Sequence, residues 1–320
     1  MVGSGFLGLW KVMRSNPLTF VGFALVIVIC GTALLVQFVP PLTRLLLGHA
    51  YSVVPYPLIP GVPPYNSPPI WSHPLGTDPI GLDMLSLVMT ALPLDLSIGL
   101  AITAVALGIG TALGLYAGYW DEPHTVGGIV STVVLRVTDV FLAFPSLLLA
   151  LAIAVTLGRG LTPTFIAITI TWWPYYVRVV RGEVLAIKHR PYVMAAKAAG
   201  VSDLRILGRH ILRNILEPLI VYYTLDVGTV IVTFSTISFI GIALPPTTPE
   251  WGSMINQYQA CCLPGDWWTV AAPGLAIFVT VLAFSLLGDG LRDFLDPRSR
   301  KALTGAQASP GTIPAGGADA

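Results

Sequence analysis

The sequence predicts an all-α membrane protein with six transmembrane helices, and three observations lead to this prediction. Of the 320 residues, 54% are hydrophobic and only 10% are charged, whereas soluble domains carry about 25% charged residues. The apolar residues form runs of about 20, which is the length of helix that a bilayer requires. Most charged residues lie between these runs or near the chain ends. An ordinary soluble globular fold is therefore excluded.

The six predicted spans follow one another along most of the chain. The first apolar run is too long for the core of a signal peptide and lacks a convincing small-residue cleavage site, so we expect it to be retained as a membrane helix. The predicted spans lie at about 19–39, 96–116, 137–157, 163–180, 215–240 and 270–287.

Changes in composition divide the chain into three predicted parts. Residues 1–72 hold an N-terminal lead, the first transmembrane helix and an external segment that is too rich in proline for regular structure. Residues 73–298 form a core with the other five transmembrane helices. Residues 299–320 are rich in glycine, alanine, proline and serine, and we expect a disordered cytoplasmic tail there.

The second span carries Gly110, Gly114 and Gly118 at four-residue intervals. In lipid, where dispersion contacts drive helix packing, small residues at this spacing allow two helix backbones to approach closely. The pattern predicts a close contact between the second span and another helix.

Asp226 lies near the middle of the fifth span, and Thr229 and Thr233 recur near the same helix face. An ionisable group inside a membrane helix usually faces the interior of a bundle or a water-filled path. We therefore predict that these three residues line a translocation path. Trp172, in the fourth span, is either packing bulk or a further residue of that path.

The longest charged stretch, residues 183–213, separates the fourth and fifth spans. Of the 17 lysines and arginines in the chain, all except Arg44 and Arg159 fall on the same side of the predicted topology as this stretch. Because cytoplasmic loops carry an excess of these residues, we expect the loop and both termini to lie in the cytoplasm.

Within this loop, an alanine-rich helix offers a surface that another chain can approach closely. Gly200 follows it and suits the left-handed conformation at a helix C-terminus. Ser202 then caps a second, short helix, with Asp203 favourable at its positive end. Apolar residues and arginines occupy different faces of that helix, which predicts an amphipathic helix along the cytoplasmic face of the membrane. The alanines are Ala195, Ala196, Ala198 and Ala199, the apolar residues are Val201, Leu204, Leu207 and Ile211, and the arginines are Arg205, Arg209 and Arg213.

This loop resembles a signature of ABC importer permeases in the dipeptide, oligopeptide and nickel group. The run from Tyr192 to Gly200, followed by nine residues and then His210-Ile211-Leu212, is similar to their E-A-A-x-x-x-G-x9-I-x-L-P loop. Met194 stands at the position of the signature's Glu, and Arg213 at that of its Pro.

Three further segments resemble the same permeases. Residues 73–86 are similar to their H-x-L-G-T-D-x-x-G-R-D-x-L-S-R signature, residues 245–252 to P-P-T-P-x-W-G, and residues 287–298 to L-G-D-x-L-R-D-x-L-D-P-R. The histidine and carboxylates of residues 73–86 fit no metal-ligand pattern. We expect them to form turns and cap a helix.

The resemblance implies a C-type subunit with the type I ABC importer permease fold and a cytoplasmic coupling helix that docks into an ATPase subunit. It also implies which residues form the coupling surface. These are Glu183, Ala195, Ala196, Gly200, Val201, Ser202, Asp203, Leu204, Arg205 and His210.

The function implied is that of a membrane subunit of an ATP-driven, binding-protein-dependent importer, forming half of the translocation path for peptides or similar small solutes. Oligosaccharides and nickel remain alternative substrates. The implied partners are a homologous second permease subunit, two ATPase subunits, an extracellular substrate-binding protein and the lipid bilayer of a prokaryotic cell membrane. No nucleic acid is expected.

The chain has no phosphate-binding loop of its own, because none of its lysines follows a glycine and G-K-[ST] is therefore absent. We expect no catalytic residue and no cofactor on this chain, with ATP and Mg bound by the ATPase subunits. Its three cysteines, Cys30, Cys261 and Cys262, provide neither a disulfide framework nor a metal cluster. A disulfide between Cys261 and Cys262 is conceivable, although two unlinked thiols are the simpler assumption.

Two other classes of function compete with this interpretation. A secondary transporter would carry its own coupling acids and often internal repeats, whereas this chain has one acid in mid-membrane and no evident repeat. A membrane-embedded enzyme would need a constellation such as H-E-x-x-H or G-x-S-x-G, and neither pattern occurs.

Overall fold

The computed structural model describes residues 17–39, 67–71, 73–79, 81–245, 248–259 and 265–295, and this part of the chain is almost entirely helical. Short bridges pair Ile70 with His73 and Thr77 with Asp83. The helices are α1 Pro17–Phe38, α2 Met84–Tyr119, α3 Val126–Leu142, α4 Ser146–Leu157, α5 Leu161–Ile187, α6 Pro191–Ala198, α7 Asp203–Phe239, α8 Trp251–Gln259 and α9 Trp268–Leu295.

Four helices in the described part of the chain, α1, α2, α7 and α9, are long and apolar enough to cross a membrane. The number rises to five if α3 and α4 together form one span. The predicted all-α membrane fold is therefore confirmed. The fourth predicted span coincides with the 27-residue helix α5, which is not among the apolar helices and instead packs extensively against α2. Its crossing of the membrane stays a prediction.

The third predicted span, at about 137–157, is not a single helix but is divided between α3 and α4. The chain bends by 92° between α3 and α4. Pro145 occupies the N-cap position of α4, where its missing N–H is tolerated, and it disfavours helical backbone at Phe144 before it. A proline in an apolar run therefore turns the chain here.

The start of α2 confirms the capping role predicted for residues 73–86. Asp83 is the N-cap residue, and its carboxylate accepts hydrogen bonds from the backbone N–H of Ser86 at 2.8 Å and from the Ser86 hydroxyl at 2.9 Å. The Nδ1 atom of His73 lies 2.9 Å from the same carboxylate. Asp78, in the preceding turn, accepts from the backbone N–H of Leu82 at 2.7 Å and from the Tyr258 hydroxyl at 2.9 Å.

The glycines of the second span form the close helix contact that their spacing predicts, and the partner helix is α5. A Cβ atom on Gly110 would lie 2.3 Å from the Cβ of Tyr176, and one on Gly118 would lie 2.7 Å from the Cβ of Val184. Gly114 meets Val180 in the same way, at 2.7 Å. Only hydrogen at these positions permits the observed approach of α2 to α5.

Several predictions fall on residues outside the described part of the chain. These are the N-terminal lead, most of the proline-rich external segment, the pair Cys261 and Cys262, and the tail at 299–320. They stay predictions.

Candidate functional site

The cytoplasmic loop predicted from the sequence is built from α6, a tight turn and the first residues of α7. Gly200 has a positive φ of 77°. Its backbone N–H donates to the Lys197 carbonyl at 3.0 Å, and the N–H of Val201 donates to the Ala196 carbonyl at 3.1 Å. These two bonds define a Schellman motif, which favours glycine at this position because other L residues are strained there. The predicted left-handed role of Gly200 is confirmed.

The second helix of the loop differs from its prediction in two respects. Ser202 occupies the N-cap position, but its side chain makes no capping hydrogen bond. The helix is also not a separate short one, since helical structure continues from Asp203 through a π-helical segment, Ile206–Leu212, to Phe239. The polar residues of this segment, among them Arg209, His210 and Arg213, do not end the helix.

The predicted apolar face of this helix is only partly right. Leu207 and Ile211 are buried as expected, together with Ile206. Leu204, however, is 78% exposed. The buried face shifts because the wider π-helical turns after Arg205 change the angle between successive side chains.

One buried side chain fixes α6 to the rest of the protein. Val193 is 3% exposed and packs in a cluster of buried residues contributed by α5, α6 and α7. The cluster comprises Val180, Val184, Val193, Ile206, Leu207, Ile211, Ile215 and Leu219. The loop is therefore held rigidly against the two helices that flank it.

The opposite side of the loop is exposed and partly apolar. Tyr192, Met194 and Leu204 are 43%, 54% and 78% exposed. Six of the predicted coupling residues are exposed with them, namely Ala195, Gly200, Ser202, Asp203, Leu204 and Arg205, whereas Ala196, Val201 and His210 are half-buried. Large apolar side chains exposed on a polar loop are typical of a protein contact surface.

A cavity of about 480 Å³ lies between this loop and the end of α2. Beside it, the hydroxyl of Tyr119 donates to the Asp203 carboxylate at 2.5 Å, and Lys188 forms an ion pair with Asp121. The lining residues are Tyr119, Trp120, Glu122, Thr125, Lys188, His189, Val193, Met194, Lys197 and Asp203. The loop thus makes direct contacts with the end of α2 and with the segment that follows it.

Glu183 does not line this cavity. It lies at a second cavity of about 340 Å³, whose lining also includes Glu217, Tyr222, Leu225 and Arg292. The predicted coupling residues are therefore not all brought to one place.

Asp226 faces α5. Its carboxylate accepts a hydrogen bond from the Tyr176 hydroxyl at 2.7 Å and another from the indole Nε1 of Trp172 at 3.3 Å. Thr229 is exposed and Thr233 is buried, and the Thr233 hydroxyl donates to the Thr229 carbonyl at 2.9 Å. The structure therefore brings Asp226 and Trp172 together, but the Thr233 hydroxyl is occupied within its own helix.

Sequence reasoning missed Tyr176, although a signal was present. Tyr176 follows Trp172 by one helical turn, so the two polar aromatic side chains lie on the same face of α5. Among the described residues, no group of histidine, cysteine, aspartate or glutamate side chains is arranged to hold a metal ion.

The sequence of this chain was compared with those of known protein families. Residues 110–301 match the family described as binding-protein-dependent transport system inner membrane component. The match includes the last ten residues of α2 and every helix from α3 to α9.

Individual proteins are similar over a shorter stretch. The glutathione transport system permease protein GsiD of Escherichia coli O157:H7 is 40% identical over 209 residues, which make up 63% of this chain and 65% of that protein. GsiD of Pectobacterium atrosepticum is 38% identical, over 66% of this chain and 68% of its own length. The probable D,D-dipeptide transport system permease protein DdpC of Escherichia coli K12 is 40% identical, over 63% and 65%.

Among solved structures, the fold is similar to that of the MetNI methionine ABC transporter in an inward-facing conformation. The TM-score is 0.51 at 19% sequence identity, and the match covers 67% of this chain and 98% of that chain.

Proposed function

Because the chain belongs to the family of binding-protein-dependent transport system inner membrane components, we propose that it is the membrane-spanning subunit of an ATP-driven importer. In this proposal it forms half of the translocation path for peptides or similar small solutes. A homologous second permease subunit forms the other half. Two ATPase subunits lie on the cytoplasmic side, and a substrate-binding protein lies outside the cell.

The observation that carries the proposal is the geometry of the cytoplasmic loop. Its inner side is anchored by Val193 in a buried cluster, whereas Met194 and Leu204 are exposed on its outer side. A short helix and a fixed turn with exposed apolar side chains suit insertion into a groove of another protein. We name the residues Met194, Ala195, Gly200, Leu204 and Arg205 the docking surface.

The continuous helix α7 supports a mechanism for coupling. It begins at Asp203, next to the docking surface, and continues to Phe239, and it is long and apolar enough to cross a membrane. When ATP binding brings the two ATPase subunits together, the docked loops move with them. Because helical structure continues from the loop into the membrane-spanning part of α7, movement of the loop is transmitted to that part. The assembly then changes from inward-facing to outward-facing.

The source of energy lies outside this chain in this proposal. The sequence has no G-K-[ST] motif, which supplies the lysine and the Mg-binding hydroxyl in nucleotide-binding loops. The chain is therefore a transport subunit and not an enzyme. ATP and Mg are bound by the ATPase subunits, and the chain itself needs no cofactor.

The substrate class is proposed from the relatives. Their names assign glutathione and D,D-dipeptides to those transporters, and both kinds of solute are short peptides. The distribution of lysine and arginine supports a cell membrane location with both termini in the cytoplasm.

Co-purification tests the docking surface. We expect a pair of candidate ATPase subunits to remain bound to the chain in mild detergent, and the variant Leu204→Asp to lose most of the bound ATPase, because a charge replaces an exposed apolar contact. Val126→Asp is the matched control, since Val126 is a cytoplasmic-side apolar residue that is 80% exposed and lies outside the loop.

The proposal would be wrong if no ATPase remained bound to the wild-type chain. It would also be wrong if the two variants retained equal amounts of ATPase.

A further inference from the structure

Asp226 lies within a group of aromatic side chains. We name Trp172, Tyr175, Tyr176, Tyr222 and Asp226 the aromatic acid cluster. The Tyr176 hydroxyl and the Trp172 indole N–H both donate to Asp226, and the rings of Tyr175 and Tyr176 meet edge to face at 5.4 Å. Tyr222 precedes Asp226 by one turn of α7, which places both side chains on the same face of that helix.

In the described part of the chain, the two groups that donate hydrogen bonds to this carboxylate are neutral. Among the described residues, no ion pair includes Asp226. Arg178, two residues after Tyr176, instead pairs with Asp139 at 2.7 Å. A carboxylate inside a membrane helix costs roughly 2.5 kcal/mol or more, and a purely structural carboxylate would be stabilised best by a nearby cation. Two neutral donors leave its negative charge able to attract a cation from outside.

The cluster also lies where a solute could reach it. Asp226 is near the midpoint of α7, and Thr229, one turn further along, is exposed on the same side of the helix. One turn toward the cytoplasm, Tyr222 lines the cavity of about 340 Å³ that contains the carboxylates of Glu183 and Glu217. The cluster therefore lies between the exposed face of α7 at Thr229 and the cavity at Tyr222.

The chemistry of the cluster selects a cation that donates hydrogen bonds. A carboxylate oxygen accepts from an ammonium N–H, and the negative faces of tyrosine and tryptophan rings attract the same positive charge. A carboxylate group on the solute would be repelled, and a neutral alkyl group would gain no charge interaction. We propose that the aromatic acid cluster is a subsite for a primary ammonium group of the transported solute, namely the α-amino group of a free peptide. This inference rests on the function proposed above.

Chemical modification of Asp226 tests the subsite directly. The complete assembly in lipid nanodiscs is treated with dicyclohexylcarbodiimide, and the modified fraction of Asp226 is measured by mass spectrometry. We expect n-butylammonium chloride and dialanine to slow the modification several-fold, and n-butanol and N-acetyldialanine to have no effect. Asp139, which is paired with Arg178, should be modified at the same rate in every case.

Two results of this labelling would overturn the inference. One is equal protection by n-butylammonium and n-butanol, or no protection by either. The other is protection by n-butylammonium without protection by dialanine, which would assign the subsite to free amines and not to peptides.

Transport by variants provides the second test. In reconstituted assemblies, Asp226→Asn should reduce the maximal rate of dialanine uptake at least tenfold and Asp226→Glu should recover part of it, because only the latter keeps the charge. Thr236→Val, on the same helix but outside the cluster, serves as the control. The concentration for half-maximal uptake should not change, because the external binding protein sets it.

The two proposals fail separately. Uptake by Asp226→Asn at the wild-type rate would contradict the ammonium subsite. If the wild-type assembly takes up no dialanine, import of this dipeptide is refuted, whereas the labelling in the presence of n-butylammonium still tests the ammonium subsite.

Discussion

Replacing Gly200 with valine should reduce ATP-driven uptake by the assembled importer about tenfold while the chain remains in the membrane. Gly200 has a φ of 77°, and a β-branched residue in the left-handed region costs of order 1–3 kcal/mol. A Cβ atom at this position meets no other atom of the chain. The variant therefore relieves its strain by changing the turn rather than by unfolding the protein, and the docking surface moves away from the ATPase.

The expected magnitude follows from this strain. If only the native turn docks, a cost of about 1.4 kcal/mol lowers the docked population about tenfold. Uptake of radiolabelled solute into proteoliposomes measures the effect, and the ATPase rate measured in parallel should lose its dependence on solute.

Two further variants make this prediction specific to the turn. Gly200→Asn should retain most of the uptake, because asparagine tolerates the left-handed conformation. Gly208→Val should also retain it, since Gly208 lies in the same loop without a positive φ and with open space around its Cβ. Full uptake by Gly200→Val, or equal losses in the Val and Asn variants, would exclude the docking role of the turn.

Replacing Gly110 with valine should destabilise the whole helix bundle. A Cβ atom there would lie 2.3 Å from the Tyr176 Cβ and 2.8 Å from the Trp173 carbonyl oxygen. Because both neighbours belong to or adjoin the backbone of α5, no flexible side chain can yield, and α2 and α5 must separate. Overpacking of this kind typically costs about 1–3 kcal/mol, and we expect the upper end of this range.

Thermal unfolding of the purified chain in detergent measures this effect. The melting temperature of Gly110→Val should fall by several degrees, whereas that of Gly108→Val should remain near the wild-type value. Gly108 lies in the same helix, but its Cβ position has no atom within 4 Å. Equal melting temperatures for the two variants would contradict the close packing of α2 against α5.

Features that depend on backbone geometry within a few residues were predictable from the sequence. Gly200 after an alanine-rich helix indicates a left-handed C-cap, and Asp83 before the second span acts as an N-cap. The spacing of Gly110, Gly114 and Gly118 indicates a close helix contact for the same reason. The spacing alone does not predict which helix packs against the glycines, since it carries no information about the partner.

Features that depend on packing between distant segments were not predictable. Leu204 has the spacing of a buried residue, but the π-helical turns that follow it expose its side chain. Helical structure in α7 continues from the loop into the apolar segment, where its buried residues pack against α5 and α6. The spacing of apolar residues within α7 does not predict these contacts with other helices. The hydrogen bond from Tyr176 to Asp226 joins residues 50 positions apart, so the spacing of Trp172 and Tyr176 indicates a shared helix face but not the carboxylate that this face contacts.

The central claim is that this chain transports a solute only when separate ATPase subunits drive it through the docking surface. The most direct measurement is the initial rate of ATP-dependent solute uptake into proteoliposomes that contain either the chain alone or the chain with the second permease, the ATPase subunits and the binding protein. The account predicts uptake against a concentration gradient by the complete assembly only, with loss of uptake when ATP is omitted. Accumulation of solute by the chain alone would contradict it.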